Sequence, residues 1–304
     1  MIQDKCNVNL FILGAAKCGT TSLHNALQQH PNVFMSTPKE PFFFEAEYER
    51  GVEYYIDRYF SAWSGETIVG ESRHRNLYLP FVADRIQETY PDASFIVIVR
   101  HPVNRAYSHW WHWFSRGVEK KSFEQIVEDN FLRLREGPFF DTPQSAKLYE
   151  DTLDRRNGYS PFPSYIDSGY YADQIHRYID RFGKSRVHIM LFDDFVADPE
   201  HELGAVYDFL EIVHQGNIGS EPQNRAMSKL GVKVVGFVRE LPFKKVLPFK
   251  YRKMLMATLR MAFANSVLMS SMDMKLRERL IDHYEPYTSA LEKLIERKLP
   301  GWRE

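Results

Sequence analysis

A glycine-containing run near the amino terminus has the residue types of an anion-binding loop. Residues 11–22 read FILGAAKCGTTS, so an apolar run leads into a turn of small residues and then into a cluster of hydroxyl side chains. Small residues let backbone N–H groups approach a phosphate closely, and the N–H groups at the start of a helix add a positive dipole end. A lysine in the turn adds a full positive charge. The residues predicted to surround the anion are Lys17, Cys18, Gly19, Thr20, Thr21 and Ser22.

The spacing of this run differs from that of the nucleoside-triphosphate loops, which read G-x-x-x-x-G-K-[ST]. Gly14 and Gly19 have the required separation, but Thr20 occupies the lysine position. The lysine of the run, Lys17, lies two residues before the second glycine. The pattern therefore favours phosphate binding over ATP chemistry, and a small-molecule kinase is kept as the alternative. Cys18 has no evident histidine partner and is interpreted as a small residue that fills the loop.

A second strand–turn–helix pattern carries an arginine. Residues 95–99 are apolar, Arg100 follows them, and Pro102 is suited to the first turn of a helix. Ligands of open α/β sheets bind at the carboxyl ends of the strands, and a guanidinium fork suits phosphate oxygens. Ser108 lies two helical turns beyond Arg100, where its hydroxyl can face the same group. We predict that Arg100 and Ser108 bind a second anion.

Two further polar clusters contain candidate acid–base groups. Residues 37–44 read TPKEPFFF, which places Glu40 beside a lysine and three aromatic rings. Partial burial would raise the pKa of this carboxyl group and prepare it as a general base, and the alternative is a surface glutamate beside a hydrophobic anchor. Residues 70–75 read GESRHR, where His74 is either an acid–base group or a loop histidine. The candidate catalytic residues are therefore Lys17, Glu40 and His74.

The elements that must position these residues follow from hydrophobic patterning. Short apolar or β-branched runs alternate with amphipathic stretches, which predicts a mostly parallel β-sheet flanked by helices in a single domain over residues 1–304. The predicted strands are 9–13, 67–70, 95–100 and 187–192, and the predicted helices are 20–29, 78–90, 103–116, 123–136, 170–182, 199–211 and 275–298. The proline-containing segment 137–168 is predicted as a loop excursion.

Composition and charge restrict the class of protein. The 304 residues are 44% hydrophobic and 26% charged, as in globular proteins, and a formal net charge of −1 gives no indication of nucleic-acid binding. Two cysteines, Cys6 and Cys18, are too few for a disulfide framework or a cysteine-rich zinc site. No apolar run reaches the roughly 18 residues of a membrane span, and no signal peptide is evident. The sequence therefore predicts a soluble, cytoplasmic protein.

Residues 229–260 form a basic amphipathic segment. Nine Lys or Arg residues against one acidic residue give this segment a local charge of +8. One interpretation is a docking face for an anionic partner, which could be a glycan, an acidic carrier protein or a membrane surface to which the protein attaches peripherally. The other interpretation is a solvated helical face.

Taken together in chain order, these motifs resemble the sulfotransferases that use 3′-phosphoadenosine 5′-phosphosulfate (PAPS). The likeness is greatest to the heparan-sulfate type and its bacterial relatives, which include sulfotransferase domains of polyketide and olefin synthases. The matching blocks are residues 14–23, 39–44, 70–79 and 99–109, followed by 169–183, 187–199 and 284–302. The resemblance implies a three-layer, P-loop-like α/β fold. It also implies PAPS-dependent transfer of a sulfonate group to a hydroxyl, or second to an amine, without a metal.

The same resemblance implies roles for the candidate residues. Lys17 and the amides and hydroxyls of residues 19–22 would hold the 5′-phosphosulfate, and Lys17 would stabilise charge on the bridging oxygen as the S–O bond breaks. Arg100 and Ser108 would bind the 3′-phosphate. Glu40 falls at the position of the family's catalytic base, which removes the acceptor proton during in-line attack on sulfur.

Departures from the family pattern leave the acceptor open. Phe42 stands where many relatives have His, Ser72 stands where glycan-modifying members often have Lys, and Arg73 or His74 is a candidate to compensate. The acceptor could be a glycan, a lipid, a small molecule or an acyl chain on a carrier protein. The aromatic residues that either line an acceptor cleft or pack against the sheet are Trp110, Trp111, Trp113 and Phe114. A non-catalytic nucleotide-binding or membrane-docking protein is a further alternative.

Overall fold

A parallel β-sheet forms the centre of the molecule. The structure is a computed structural model that describes residues 6–304 except 138, 156–159, 161, 163 and 216–271. Within this part of the chain, five parallel strands lie in the order β2-β3-β1-β4-β5. The strands are β1 (Leu10–Ile12), β2 (Val33–Met35), β3 (Ile68–Ser72), β4 (Ser94–Val99) and β5 (Val187–Leu191).

Helices flank this sheet. Those of the described residues, numbered in chain order, are α1 (Thr20–Leu27), α2 (Gly51–Tyr59), α3 (His74–Tyr78), α4 (Pro80–Thr89), α5 (Pro102–Phe114), α6 (Phe123–Glu136), α7 (Pro143–Thr152), α8 (Tyr171–Phe182), α9 (Phe192–Ala197), α10 (Pro199–Phe209) and α11 (Met274–Ile295). A π-helical turn spans Phe43–Glu47.

The central strands are apolar because both of their faces are covered. Phe11 on β1 lies between Glu71 on β3 and Phe95 on β4 in the register of the sheet. The rings of Phe11 and Phe95 stack with their centroids 5.7 Å apart, and both residues are fully buried. Strands buried in this way read as continuous apolar runs, which is why the sequence pattern reveals them.

The strand order creates a crevice at the carboxyl ends of β1 and β4. From β1 the chain continues to β2 and β3 on one side of the sheet, whereas from β4 it continues to β5 on the other side. Open parallel sheets bind ligands where the connections diverge in this way. Residues 14–19, here called the glycine loop, follow β1, and Arg100 follows β4. The two predicted anion sites therefore lie at one crevice.

The four predicted strands are confirmed to within two residues at their ends, but β2, α2 and α9 were not predicted. β2 has three residues, Val33–Met35, and lies at the edge of the sheet. A strand this short has no alternation that could separate it from a turn.

The helix predicted at 78–90 is two helices. α3 ends at Tyr78, and α4 begins at Pro80. Leu79 between them is extended, with φ −78° and ψ 119°. A proline disfavours helical geometry in the residue before it and is accepted at the first helical position, so the chain breaks and restarts here.

The segment 137–168 is not a continuous loop, because it contains α7. Thr142 and Ser145 form a reciprocal capping box, and Pro143 occupies the first turn of the helix. Prolines in this segment favoured a loop in the prediction, but proline is also common in the first turn of a helix.

The predicted basic segment 229–260 lies outside the described residues. Within the described ones, no helix combines the length and apolarity that a bilayer crossing requires.

Candidate active site

The glycine loop adopts a backbone that few residue types accept. Gly14, Lys17 and Gly19 all have positive φ, at 63°, 72° and 90°. For lysine, the left-handed region costs about 1–2 kcal/mol, because Cβ crowds the following carbonyl. Strain of this kind persists where the surrounding structure enforces it, commonly at ligand sites.

The start of α1 presents backbone donors at this loop. The carbonyl of Gly19 accepts from the N–H groups of Ser22 and Leu23. The N–H groups of Gly19, Thr20 and Thr21 have no acceptor within the part of the chain that the structure describes. These donors and the positive end of the helix dipole suit a bound anion.

Lys17 is held by a histidine from α5. Its Nζ lies 3.3 Å from Nδ1 of His112. Burial, followed by the charges of Arg116 and Arg100, lowers the pKa of Lys17 to about 8. Burial, followed by the charge of Lys17, lowers the pKa of His112 to about 2, so the imidazole is neutral and accepts the hydrogen bond. Because its pKa is still above 7, Lys17 is charged near neutral pH.

Arg100 borders the same loop, and Ser108 lies on α5, the helix that follows Arg100. Nη1 of Arg100 donates to the carbonyl oxygen of Lys17 at 3.2 Å, and its guanidinium lies 4.5 Å from the ring centroid of Phe192. Ser108 is half-buried on α5, four residues before His112. Residues four apart share a helix face, so Ser108 lies on the face of α5 that contacts the glycine loop.

Cys18 behaves as the loop-filling residue that its sequence context indicated. Its side chain is fully buried, and burial raises the pKa of its thiol to about 11. A protonated, inaccessible sulfur is a poor nucleophile, so the backbone of Cys18 is the part of the residue that can face a bound group.

Glu40 lies among three basic groups. Oε1 lies 3.2 Å from Nζ of Lys39 and 3.6 Å from Nδ1 of His74. Oε2 accepts from Nη1 of Arg73 at 3.1 Å. The side chain of Glu40 is 38% exposed, so this carboxylate lies at the edge of the crevice and not in the core.

The pKa of Glu40 is lowered, which contradicts the expectation that it would be raised. Desolvation acts to raise it, but the contact with His74 and the charges of Lys39 and Arg73 outweigh desolvation and hold the pKa well below its usual range. Burial lowers the pKa of His74, so the imidazole is neutral near pH 7. Opposite charges favour the ionised carboxyl group, whereas burial alone would favour the acid.

The three candidate catalytic residues thus meet at one end of the sheet, although they are separated in sequence. Glu40 and His74 are in contact, and the charge of Glu40 acts on both Lys17 and His112. His112 was not predicted as a site residue, and its spacing of four from Ser108 was the available signal. Glu45, which pairs with Arg73, was not predicted either.

The aromatic residues of α5 mainly pack inside the protein. Trp110 and Trp111 are each 6% exposed and belong to a buried cluster formed with α6 and α11. Trp113 and Phe114 are partly buried against the same cluster. The packing interpretation of this stripe is therefore the correct one for its two most buried members.

Gly14→Ala should damage the glycine loop. A Cβ at Gly14 would lie 2.7 Å from Cγ2 of Thr20 and 3.3 Å from the backbone of Ile98, and φ is +63°. We expect a loss of about 1–2 kcal/mol in the free energy of unfolding and weaker nucleotide binding, measured by denaturant titration and calorimetry. Gly301→Ala is the control, because a Cβ there meets nothing within 4 Å. Equal stability of the two variants would contradict the prediction.

Comparison with known proteins agrees with this geometry. A family model described as "Sulfotransferase domain" matches residues 8–229. The chain is 23% identical over 280 residues to the membrane-associated sulfotransferase kil1 of Dictyostelium discoideum, covering 72% of this chain and 59% of that protein. It is 28% identical over 199 residues to human heparan sulfate glucosamine 3-O-sulfotransferase 3B1, covering 66% and 45%. The chain spans about half the length of the curated relatives it matches.

A solved structure is similar over the whole chain. The crystal structure of a sulfotransferase from Alicyclobacillus acidocaldarius is 26% identical, with a TM-score of 0.69, and the match covers 98% of this chain and 100% of that one. This likeness confirms the predicted P-loop-like α/β fold with a parallel central sheet. Since the family model matches well over half of the residues, the chain belongs to the sulfotransferase family.

Proposed function

We propose that this protein transfers a sulfonate group from PAPS to a hydroxyl group of an acceptor, with Glu40 as the general base. The observation that supports this most directly is that Lys17, which follows β1, and Glu40, which follows β2, are near enough for the charge of Glu40 to act on Lys17. An anion-binding lysine opposite an accessible carboxylate is the arrangement that deprotonation of a hydroxyl beside an activated anion requires.

The two anion sites fit the two ends of PAPS. The glycine loop supplies Lys17 and the N–H groups at the start of α1, which suit the 5′-phosphosulfate. Arg100 and Ser108 would hold the 3′-phosphate, which distinguishes PAPS from ordinary adenine nucleotides. The sites follow β1 and β4, and hydrogen-bonded strands lie about 4.8 Å apart, so one nucleotide can reach both.

When bound, PAPS supplies a sulfonate whose S–O bond to phosphate is easily broken. Glu40 takes the proton of the acceptor hydroxyl while the acceptor oxygen forms its bond to sulfur. The departing phosphate oxygen keeps the electron pair of the broken bond, and Lys17 compensates its charge. The products are the sulfated acceptor, adenosine 3′,5′-bisphosphate and the proton on Glu40.

We propose that His74 and His112 assist as neutral groups. His74 faces Oε1 of Glu40 and orients the carboxylate, while His112 accepts from Lys17 and directs its ammonium toward the crevice. Both imidazoles are neutral near pH 7, because burial lowers the pKa of each.

The acceptor class is proposed only as a hydroxyl compound. Heparan sulfate glucosamine is named for one relative, and glycans, lipids, small molecules and carrier-bound acyl chains all remain candidates for this chain. The cytoplasmic location stays a prediction. Binding of an anionic partner at residues 229–260 also stays a prediction. Peripheral membrane association is likewise a prediction for this chain, and one relative is named as membrane-associated.

The donor can be tested before the acceptor is known. We expect calorimetry to show binding of adenosine 3′,5′-bisphosphate and little binding of Mg-ATP. Labelled sulfonate should then pass from PAPS to at least one member of an acceptor panel of glycans, phenols, sterols and acyl alcohols. Tight binding of Mg-ATP without binding of the bisphosphate would favour the kinase alternative and overturn the proposal.

A further inference from the structure

Arg73 is a buried charged residue beside Glu40, and all three nitrogens of its guanidinium donate hydrogen bonds to two carboxylates. Its side chain is 2% exposed. Nε donates to Oε2 of Glu45 at 3.1 Å, Nη2 donates to Oε1 of the same carboxylate, and Nη1 donates to Oε2 of Glu40 at 3.1 Å. The ring centroid of Phe42 lies 4.4 Å from the guanidinium carbon.

Glu45 fixes the orientation of Arg73. Glu45 belongs to the π-helical turn Phe43–Glu47, and its side chain is 0% exposed. The two contacts between Glu45 and Arg73 form a planar fork, which fixes the plane of the guanidinium and with it the position of Nη1. Because buried side chains hold both sides of this fork, the position of Nη1 is set by the core rather than by solvent.

The charge balance of this arrangement leaves Glu40 ionised. Arg73 and Glu45 neutralise each other, so Glu40 receives a directed hydrogen bond from a pair with no net charge. Oε1 then faces Lys39 and His74. Each oxygen of the carboxylate therefore has its own partner. The titratable and charged groups that act on Glu40 or share its field are Lys17, His24, Lys39, Arg73, His74 and His112.

We infer that Arg73, held by Glu45, is a positioning residue that fixes the carboxylate of Glu40 for proton removal. This inference rests on the proposed function. Ser72, the neighbouring residue at which the family pattern departs, has a short neutral side chain and brings no charge to Glu40. Arg73 instead contacts Glu40 and lies against the ring of Phe42, the other residue that departs from the family pattern.

A purely structural role for the ion pair makes different predictions. Breaking a buried pair by removing one partner is strongly destabilising, whatever the pair does for catalysis. Arg73→Lys keeps the charge but loses the planar fork. The double variant Arg73→Met/Glu45→Gln removes both charges together and leaves no unpaired buried ion. Arg133→Lys is the matched control, because Arg133 pairs with Asp167 in a largely buried contact away from Glu40.

We expect Arg73→Lys to lower kcat about 10²-fold, because a small displacement of a catalytic group has effects of that order. Its affinity for adenosine 3′,5′-bisphosphate should be unchanged. In the double variant Glu40 loses the hydrogen bond that Nη1 of Arg73 donates to its ionised form, so its pKa rises, and the acid limb of the kcat–pH profile should move upward by about 1–2 pH units. Arg133→Lys should lower the melting temperature without changing the pH profile.

An acceptor-independent measurement separates this inference from the proposed function. The titration of the Glu40 carboxyl group can be followed as the infrared difference between each protein and its Glu40→Gln counterpart, with the bisphosphate bound. An upward shift in the double variant supports the inference, even if no acceptor in the panel is sulfated. If sulfonate transfer occurs but Arg73→Lys retains kcat and the double variant shows no shift in either titration, the inference is overturned.

Discussion

Glu40→Gln is expected to lower kcat by about 10²–10⁴, the range that general-base catalysis commonly contributes. Glutamine keeps the size of the side chain and one carbonyl oxygen, but it cannot take up the acceptor proton. The side chain is partly exposed and the carboxyl group is ionised, so on this proposal the substitution removes a base. The measurement is steady-state transfer of labelled sulfonate from PAPS to whichever acceptor the wild-type protein sulfates.

Nucleotide affinity should survive this substitution. Glu40 contacts Lys39, Arg73 and His74, and none of these belongs to the glycine loop. Glu53→Gln, the same chemical change at an exposed position on α2, should leave both kcat and affinity unaltered. Wild-type turnover by Glu40→Gln would show that another group removes the proton.

The pH profile gives an independent check on the same residue. A base works in its deprotonated form, and the pKa of Glu40 is held well below that of an ordinary carboxyl group. The wild-type rate should therefore remain constant as the pH falls from 7 through the ordinary carboxyl range, and it should decline only below that range.

Candidate site residues are easiest to find in the sequence where they come soon after a buried strand. Lys17 follows β1 and Arg100 follows β4, and the carboxyl ends of parallel strands meet at one edge of a sheet. A buried strand is recognisable from its apolar run, so the residues that follow it in sequence can be placed at its carboxyl end. The short strand β2 was invisible, yet Glu40 was still identified, because the aromatic residues beside it marked it as unusual.

The partners of these residues could not be predicted in the same way. His112 lies 95 residues from Lys17 in sequence, and Glu45 lies 28 residues from Arg73. Such contacts depend on how α5 and the π-helical turn pack on the sheet, and local sequence patterns do not determine that packing. The predicted direction of the pKa change at Glu40 was wrong for the same reason. Sequence indicated the aromatic neighbours that would desolvate it, but not the approach of His74 and Arg73, which together with Lys39 lower the pKa.

Lys17→Ala is expected to lower kcat by about 10²–10³, since it removes a preorganised charge from the point where negative charge develops. It should also weaken binding of adenosine 3′,5′-bisphosphate, because Lys17 lies in the loop that faces the 5′ end. Both effects can be measured on one preparation, by sulfonate transfer and by calorimetry. Lys184→Ala provides the control, because Lys184 forms an exposed ion pair with Glu296.

The pH dependence of binding tests the assignment of Lys17 more sharply than the loss of affinity does. The pKa of Lys17 is lowered to about 8 by burial and by the charges of Arg116 and Arg100, so the ammonium form predominates below that pH. Affinity for the bisphosphate should therefore be greatest below pH 8 and should fall as the pH rises through that value. In Lys17→Ala the fall should disappear, while Lys184→Ala should retain it. If Lys17→Ala kept the same decline with pH, a group other than Lys17 would be the titrating contact, and the anion would have to be held by the helix start and Arg100 alone.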